Sequence, residues 1–160
     1  MNKEDIYNYL KENDIKYEVD EHKTVYNMEE LKDIVLKYPE CDAKNIFVRD
    51  DKKRNYYLIT IKGDKKVNLK EFEKKYDTRR LSFASENDLM NILGLIPGAV
   101  TPLGLLNDKE LRVEFYLDSY FKDKLIGVHP NDNTATVWMS SSNLIKIIKN
   151  NGNKVNIVDL

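Results

Sequence analysis

Cysteine is almost missing from this sequence: Cys41 is the single one among 160 residues. That excludes an intramolecular disulfide and any zinc cluster built from cysteines. Histidine is nearly as scarce, with only His22 and His129, so a histidine-rich metal site is not expected and no cofactor is implied. A nucleophilic pair between Cys41 and either histidine survives counting, but no recognised local signature of a catalytic cysteine surrounds Cys41. No apolar run reaches the ~18–20 residues that cross a bilayer. The opening Met-Asn-Lys-Glu-Asp-Ile-Tyr also lacks the basic-then-apolar order of a signal peptide. The expected location is the cytoplasm, with no membrane partner. An excess of one charge is absent too, since 26 basic residues face 27 acidic ones for a net charge of −1. This balance excludes coating nucleic acid through bulk charge, yet leaves room for a local basic patch that meets a few phosphates. With no repeat, low-complexity tract or Pro/Gly/Ser linker, residues 1–160 are expected to form one domain.

What is present is an irregular interleaving of helical and strand patterns. Asn2 is placed to cap a helix to about Asn13, with Ile6, Tyr9 and Leu10 on one face. Lys16–Asp20 alternates as a short strand. Asn27 is a plausible cap for a second helix, with Glu29 and Glu30 in its first turn, Leu31, Ile34 and Val35 as its apolar stripe, and Pro39 at its end. Asn45–Arg49 and Tyr56–Ile61 are strand-like, and the polar stretch between them reads as a hairpin loop. Asn68 begins an amphipathic helix through Tyr76, and Arg80–Phe83 is strand-like. Ser85 with Asp88 opens a further helix that Gly94 stops. Leu111–Leu117, Leu125–Val128 and Thr134–Trp138 read as strands. Ser140 or Ser142 caps a last helix to Asn150, Gly152 terminates it, and Val155–Val158 closes the chain as a strand. This order favours a mixed sheet with packed helices over a regular doubly wound fold.

Three places could carry chemistry. The segment Gly94-Leu-Ile-Pro-Gly-Ala-Val-Thr-Pro-Leu-Gly104 follows neither periodicity. Its glycines permit close backbone approach, and exposed N–H groups there could meet a carbonyl oxygen or developing oxyanion. A buried crossover shaped by its prolines and glycines is an equal reading. His129, in the turn His129-Pro130-Asn131-Asp132-Asn133-Thr134, could orient substrate or transfer a proton; by itself the stretch reads more simply as ordinary turn formers. Lys44, before the apolar run Ile46-Phe47-Val48, could reach a phosphate as a point charge, although most such lysines are solvated. His22 reads as a surface residue. Lys65-Lys66 and Lys74-Lys75 read as solvent-facing charge, with a nucleic-acid backbone as the alternative contact.

Taken together, these places resemble one family. Ala43-Lys44-Asn45-Ile46-Phe47-Val48-Arg49-Asp50 resembles the Lys-Asn-hydrophobic-Phe-hydrophobic-Arg-Asp segment of the YbaK/ProX-type prolyl-tRNA editing domains. Leu93 through Pro102 resembles their glycine/proline loop, with Asn107-Asp108 following. His129-Pro130-Asn131-Asp132-Asn133-Thr134-Ala135-Thr136 resembles their histidine-proline-to-threonine signature. Glu21-His22, Leu81-Ser82-Phe83-Ala84-Ser85 and Val158-Asp159-Leu160 match in order at the edges, so the resemblance covers nearly the whole chain. Within the family the sequence looks most like the freestanding alanyl-tRNA(Pro) deacylases, including the clostridial ProX/PrdX type. Asn27 stands where many relatives carry threonine, and Val137-Trp138-Met139 is bulkier than their usual small-residue run.

The resemblance implies a single-domain mixed α/β (α+β) fold, with a mixed, largely antiparallel sheet or partly closed barrel flanked by helices. It implies hydrolysis of alanine from mischarged tRNA(Pro), by a monomer that meets the acceptor end of tRNA(Pro) and also prolyl-tRNA synthetase. Lys44 would contact the substrate phosphate or carbonyl, and Asn45 would help hold the substrate. Gly98, Ala99, Val100 and Thr101, leading into Pro102, would present backbone donors to the ester carbonyl. His129 would anchor the terminal adenosine or shape the site, and Ile34 would wall the amino-acid pocket. A ribose hydroxyl assisting the attack of water would explain the absence of a catalytic triad. Cysteinyl-tRNA(Pro) as substrate, a non-catalytic regulator that binds charged tRNA, and an interaction domain without a small-molecule site are the alternatives.

Overall fold

The computed structural model describes residues 1–23 and 36–160. The expected second helix, with Asn27 and the pocket-wall residue Ile34, lies outside them. Pro39 opens a short 3-10 turn, Pro39–Cys41.

Capping chemistry sets the helix boundaries. Asn2 accepts from the N–H of Asp5 while Asp5 answers the Asn2 N–H, and the box starts α1, Lys3–Glu12. Asn68 caps α2, Leu69–Tyr76. Ser85 and Asp88 form a second box at α3, Glu86–Asp88, which widens at once into the π-type turn Leu89–Leu93 and ends at Gly94 with φ +66°. Ser140 caps α4, Ser141–Asn151, and Gly152 closes it with φ +109°.

The strands are β1, Glu18–Glu21; β2, Ala43–Asp50; β3, Tyr56–Lys62; β4, Leu81–Phe83; β5, Val113–Asp118; β6, Leu125–Val128; β7, Ala135–Ser140; and β8, Val155–Val158. They do not make one sheet. A five-stranded sheet runs β4-β2-β3-β5-β8, with β3/β5 and β5/β8 parallel and the other pairs antiparallel. A separate antiparallel sheet runs β1-β7-β6. Among the described residues one β-bridge, Asp42 to Gly127, links the two, and their inner faces share one apolar core. No closed barrel forms among the described residues, because one bridged pair is too short a seam to close a ladder. Pairings between strands distant in sequence decide this, and the hydrophobic pattern does not encode them.

β3 explains why the larger sheet is stable. Tyr56 and Leu58 face one apolar cluster together with Ile6, Leu10, Phe47, Phe115 and Val137, while Tyr57, Ile59 and Ile61 face a second cluster under Phe72 of α2. Burial on both faces accounts for its unbroken apolar run, and each such side chain contributes about 1.5–3 kcal/mol.

Several boundaries shift from the sequence reading: β1 moves from 16–20 to Glu18–Glu21, and β2 widens from Asn45–Arg49 to Ala43–Asp50. The strand expected from Leu111 begins at Val113, because the Asp108 carboxylate accepts from the N–H groups of Arg112 and Val113 and holds Leu111 in a turn at φ +55°. β7 extends to Ser140, two residues beyond Trp138, since Leu125 of β6 pairs there.

Candidate functional site

The bridge between the sheets sits in the wall of a small cleft lined by Asp42, Ala43, Asn45, Gly127, Val128, His129 and Thr136. Its residues come from three places in the chain. Ala43 and Asn45 lie two apart at the start of β2 and so share one face. Gly127 and Val128 end β6, and Thr136 follows the turn on β7.

His129 is mostly buried. Its Nδ1 donates to the carbonyl of Ala135 at 2.9 Å, which leaves Nε2 as the acceptor of a neutral ring. Burial pushes its pKa below the ordinary histidine value, and nearby His22 adds to that against the Ala135 hydrogen bond. The turn residues beyond it are structural, as the simpler reading of that stretch holds. Asn131 sits at φ +59° and donates to the carbonyl of Met1, and Asp132 accepts from the N–H and hydroxyl of Thr134.

The glycine/proline loop is mainly a buried crossover. Leu95, Ala99 and Pro102–Leu106 are buried. Ile96 to Ala99 closes a turn with Pro97 next and Gly98 at φ +88°, a backbone value that requires glycine at low cost. Thr101 caps the 3-10 turn Pro102–Asn107 and donates its hydroxyl to the carbonyl of His129 at 2.6 Å. The loop is thereby tied to the histidine. Among the described residues, the N–H groups of Gly98, Val100 and Thr101 meet no acceptor.

Lys44 lies on β2 between two residues that line the cleft, but it is not itself part of the lining. Strand alternation directs its Cβ to the face of Ile46 and Val48. Among the described residues it has no ion-pair partner. Asn45 reaches the cleft, and its Oδ1 accepts the hydroxyl proton of Thr60 at 2.5 Å.

Three polar residues of this region escape the sequence reading. His22, expected on the surface, continues the β1/β7 ladder through its N–H to the carbonyl of Thr134, and its Nε2 lies 3.0 Å from the hydroxyl of Thr136. Its ring stands edge-on to His129 with centroids 6.3 Å apart. Asp42 is pushed up to about 7 by burial, against the lowering effect of the Ala43 N–H, and its Oδ2 is buried without a hydrogen-bond partner. The signals were position, an acid directly before a strand and a histidine directly after one, and the family segments that contain His22 and Thr136.

The bulk at Trp138 is accommodated by Gly127. A Cβ on Gly127 would lie 2.2 Å from the indole, the two residues being register partners. The indole N–H is held by Asp20 at 2.8 Å, and Tyr38 packs edge-on. Trp138 lies two residues beyond Thr136 on β7, with its ring over Gly127, one of the cleft residues. Among the described residues there is no cluster of side chains fit to hold a metal ion and no helix long and apolar enough to cross a membrane.

A family model described as the aminoacyl-tRNA editing domain matches residues 22–147. The prolyl-tRNA editing protein ProX of Acetoanaerobium sticklandii is 41% identical over 152 residues, covering 94% of this chain and 93% of its own. The prolyl-tRNA synthetase associated domain-containing protein 1 of Bos taurus is 33% identical, with 86% and 83% covered. A solved structure described as a candidate trans-editing enzyme for prolyl tRNA synthetase superimposes with a TM-score of 0.67 at 17% identity, over 90% of this chain and 87% of the other. That last likeness concerns the fold.

Proposed function

The chain belongs to the aminoacyl-tRNA editing domain family, and from that premise we propose that it is a trans-acting hydrolase that removes alanine wrongly esterified to tRNA(Pro). The observation that carries this reading is that Asn45 and His129, taken from two separate family segments, line one cleft to which the glycine/proline loop is bonded.

The chemistry asks little of the protein. An aminoacyl ester is already activated, so positioning water and polarising the carbonyl suffice. Water adds to the ester carbonyl, the bond to the ribose oxygen breaks, and that oxygen leaves with a proton; the products are free alanine and tRNA(Pro). The uncommitted N–H groups of Gly98, Val100 and Thr101 are suited to the developing oxyanion, with Ala99 and Pro102 holding the loop in place. A ribose hydroxyl of the substrate assists the water. Asn45 holds the substrate, His129 anchors the adenosine end, and Lys44 meets a phosphate from outside the cleft.

Editing is needed because a pocket built for proline cannot exclude a smaller amino acid. The missing apolar contact discriminates by only ~1–3 kcal/mol. The small size of the cleft supports the converse choice of a small side chain. A larger groove shares Asp42 with the cleft, and beside it Lys62, Lys65 and Lys124 surround the Tyr120 ring, a suitable path for the acceptor strand. The protein works in the cytoplasm as a monomer, with prolyl-tRNA synthetase as a neighbour in the same cycle.

Purified Lys44→Ala is expected to fold normally and to lose most of its deacylation of alanyl-tRNA(Pro), measured as release of labelled alanine. A wild-type rate from that variant removes Lys44 from the site.

A further inference from the structure

We infer that the cleft reads the free α-ammonium group of the aminoacyl ester, with Asp42, Thr136 and His129 as its acceptors. This rests on the reading that the ligand is an aminoacyl ester, and it adds which group of that ester is recognised and by which residues.

With both imidazoles neutral, the surrounding carbonyls fix the direction of each hydrogen bond. Nδ1 of His22 lies 2.9 Å from the carbonyl of Lys23, which can only accept, so Nδ1 carries the proton. In the neutral ring Nε2 must then accept, and its partner at 3.0 Å is the Thr136 hydroxyl. Thr136 commits its only proton there and offers the cleft lone pairs alone. His129 repeats the pattern, with Nδ1 donating to the Ala135 carbonyl and Nε2 left as an acceptor. Asn45 is the opposite case. Its oxygen takes the Thr60 proton, so its NH₂ group is the donor that remains.

Asp42 completes the set as a carboxylate with an unpartnered oxygen at the seam of the two sheets. Other buried carboxylates in this protein are saturated with donors: Asp108 accepts from Arg112, Val113 and Asn153, and Asp118 accepts from Lys62, Lys65 and Tyr120. A buried oxygen without a donor is costly, and the cost is recovered when a donor arrives. The described side chains of the cleft therefore present several acceptors, one of them anionic once Asp42 has released its proton, and the Asn45 amide as donor. A ribose hydroxyl has one proton to give. An α-ammonium has three together with a positive charge, and it sits on the carbon next to the ester carbonyl that Asn45 can meet. Blocking that nitrogen, or replacing it with a hydroxyl, removes the charge and most of the donors.

The test uses three esters of tRNA(Pro): alanyl, N-acetylalanyl and lactyl, each rate divided by its spontaneous hydrolysis in the same buffer. The alanyl ester is expected to be turned over at least about tenfold faster in kcat/KM than either other ester. Equal normalised rates for alanyl and N-acetylalanyl overturn the inference while leaving the hydrolase intact. Failure to hydrolyse any of the three overturns the proposed function itself. Asp42→Asn is expected to narrow the alanyl preference at least about tenfold by slowing that ester selectively; slowing all three by one factor overturns the assignment of Asp42. His22→Ala, which frees the Thr136 proton, is expected to narrow the same preference by less, and an unchanged ratio overturns its role as a positioning residue. Should Asp42→Asn fail to fold, the wild-type ester series decides alone.

Discussion

The turn before β5 and the seam before β2 each bury an aspartate, and they treat it oppositely. Asp108 is 2% exposed and receives two backbone N–H groups and the Asn153 amide, each at 2.9 Å. Asp42 is left with an oxygen that no group approaches, and burial raises its pKa to about 7. In the first region the carboxylate organises the chain, turning it at Leu111 into β5 and tying it to the loop before β8. In the second it organises nothing visible. A folded protein tolerates a few such groups, and they gather where a ligand supplies the missing partner.

The largest effect that sharpens this contrast is expected at Asp108. Asp108→Ala strands the N–H groups of Arg112 and Val113 and the Asn153 amide in the interior, and a loss of about 3–5 kcal/mol should follow, read as a lower urea midpoint. An unchanged midpoint would erase the distinction between the two carboxylates.

Asp42→Asn should act with the opposite sign on stability. The folded protein holds a proton on Asp42 up to about pH 7, whereas the unfolded chain releases it near the ordinary value of 3.8. The native state thus binds more protons in that window, and wild-type stability falls as pH rises through it. The asparagine variant escapes this loss. It is expected to exceed wild type by on the order of 1–3 kcal/mol at pH 8 and by little near pH 4, by urea unfolding at both values. A difference independent of pH would mean that Asp42 is solvated.

The smallest effect concerns His129. In the Asp42→Asn background the remaining acid limb of deacylation should have its midpoint below 6.5, since burial lowers this histidine, and the rate should fall as protonation turns Nε2 from acceptor to donor. A midpoint above 6.5 would show that another group governs the limb.

Legibility in the sequence followed the range of the interactions. The caps at Asn2, Asn68, Ser85 and Ser140 and the stops at Gly94 and Gly152 were readable because each acts on its own helix within a turn. The β2/β3 hairpin was readable for the same reason. Asn45 and His129 were found through the family segments that contain them, and they meet at one cleft. Asp42 was passed over, His22 was read as a surface residue and Thr136 was not singled out within its family segment, since an aspartate before a strand and a threonine within one look ordinary in isolation. The mixed fold with packed helices was readable, but its division into a five-stranded and a three-stranded sheet was not, because the β1/β7 pairing joins residues from opposite ends of the chain.

Periodicity, caps and turn residues were thus settled by the sequence alone, since they depend on neighbours a few positions away. The fold in three dimensions decided which carboxylate is satisfied and which is not, and which way each proton in the cleft points. Those properties belong to hydrogen-bond partners that are remote along the chain, and only packing brings them within reach.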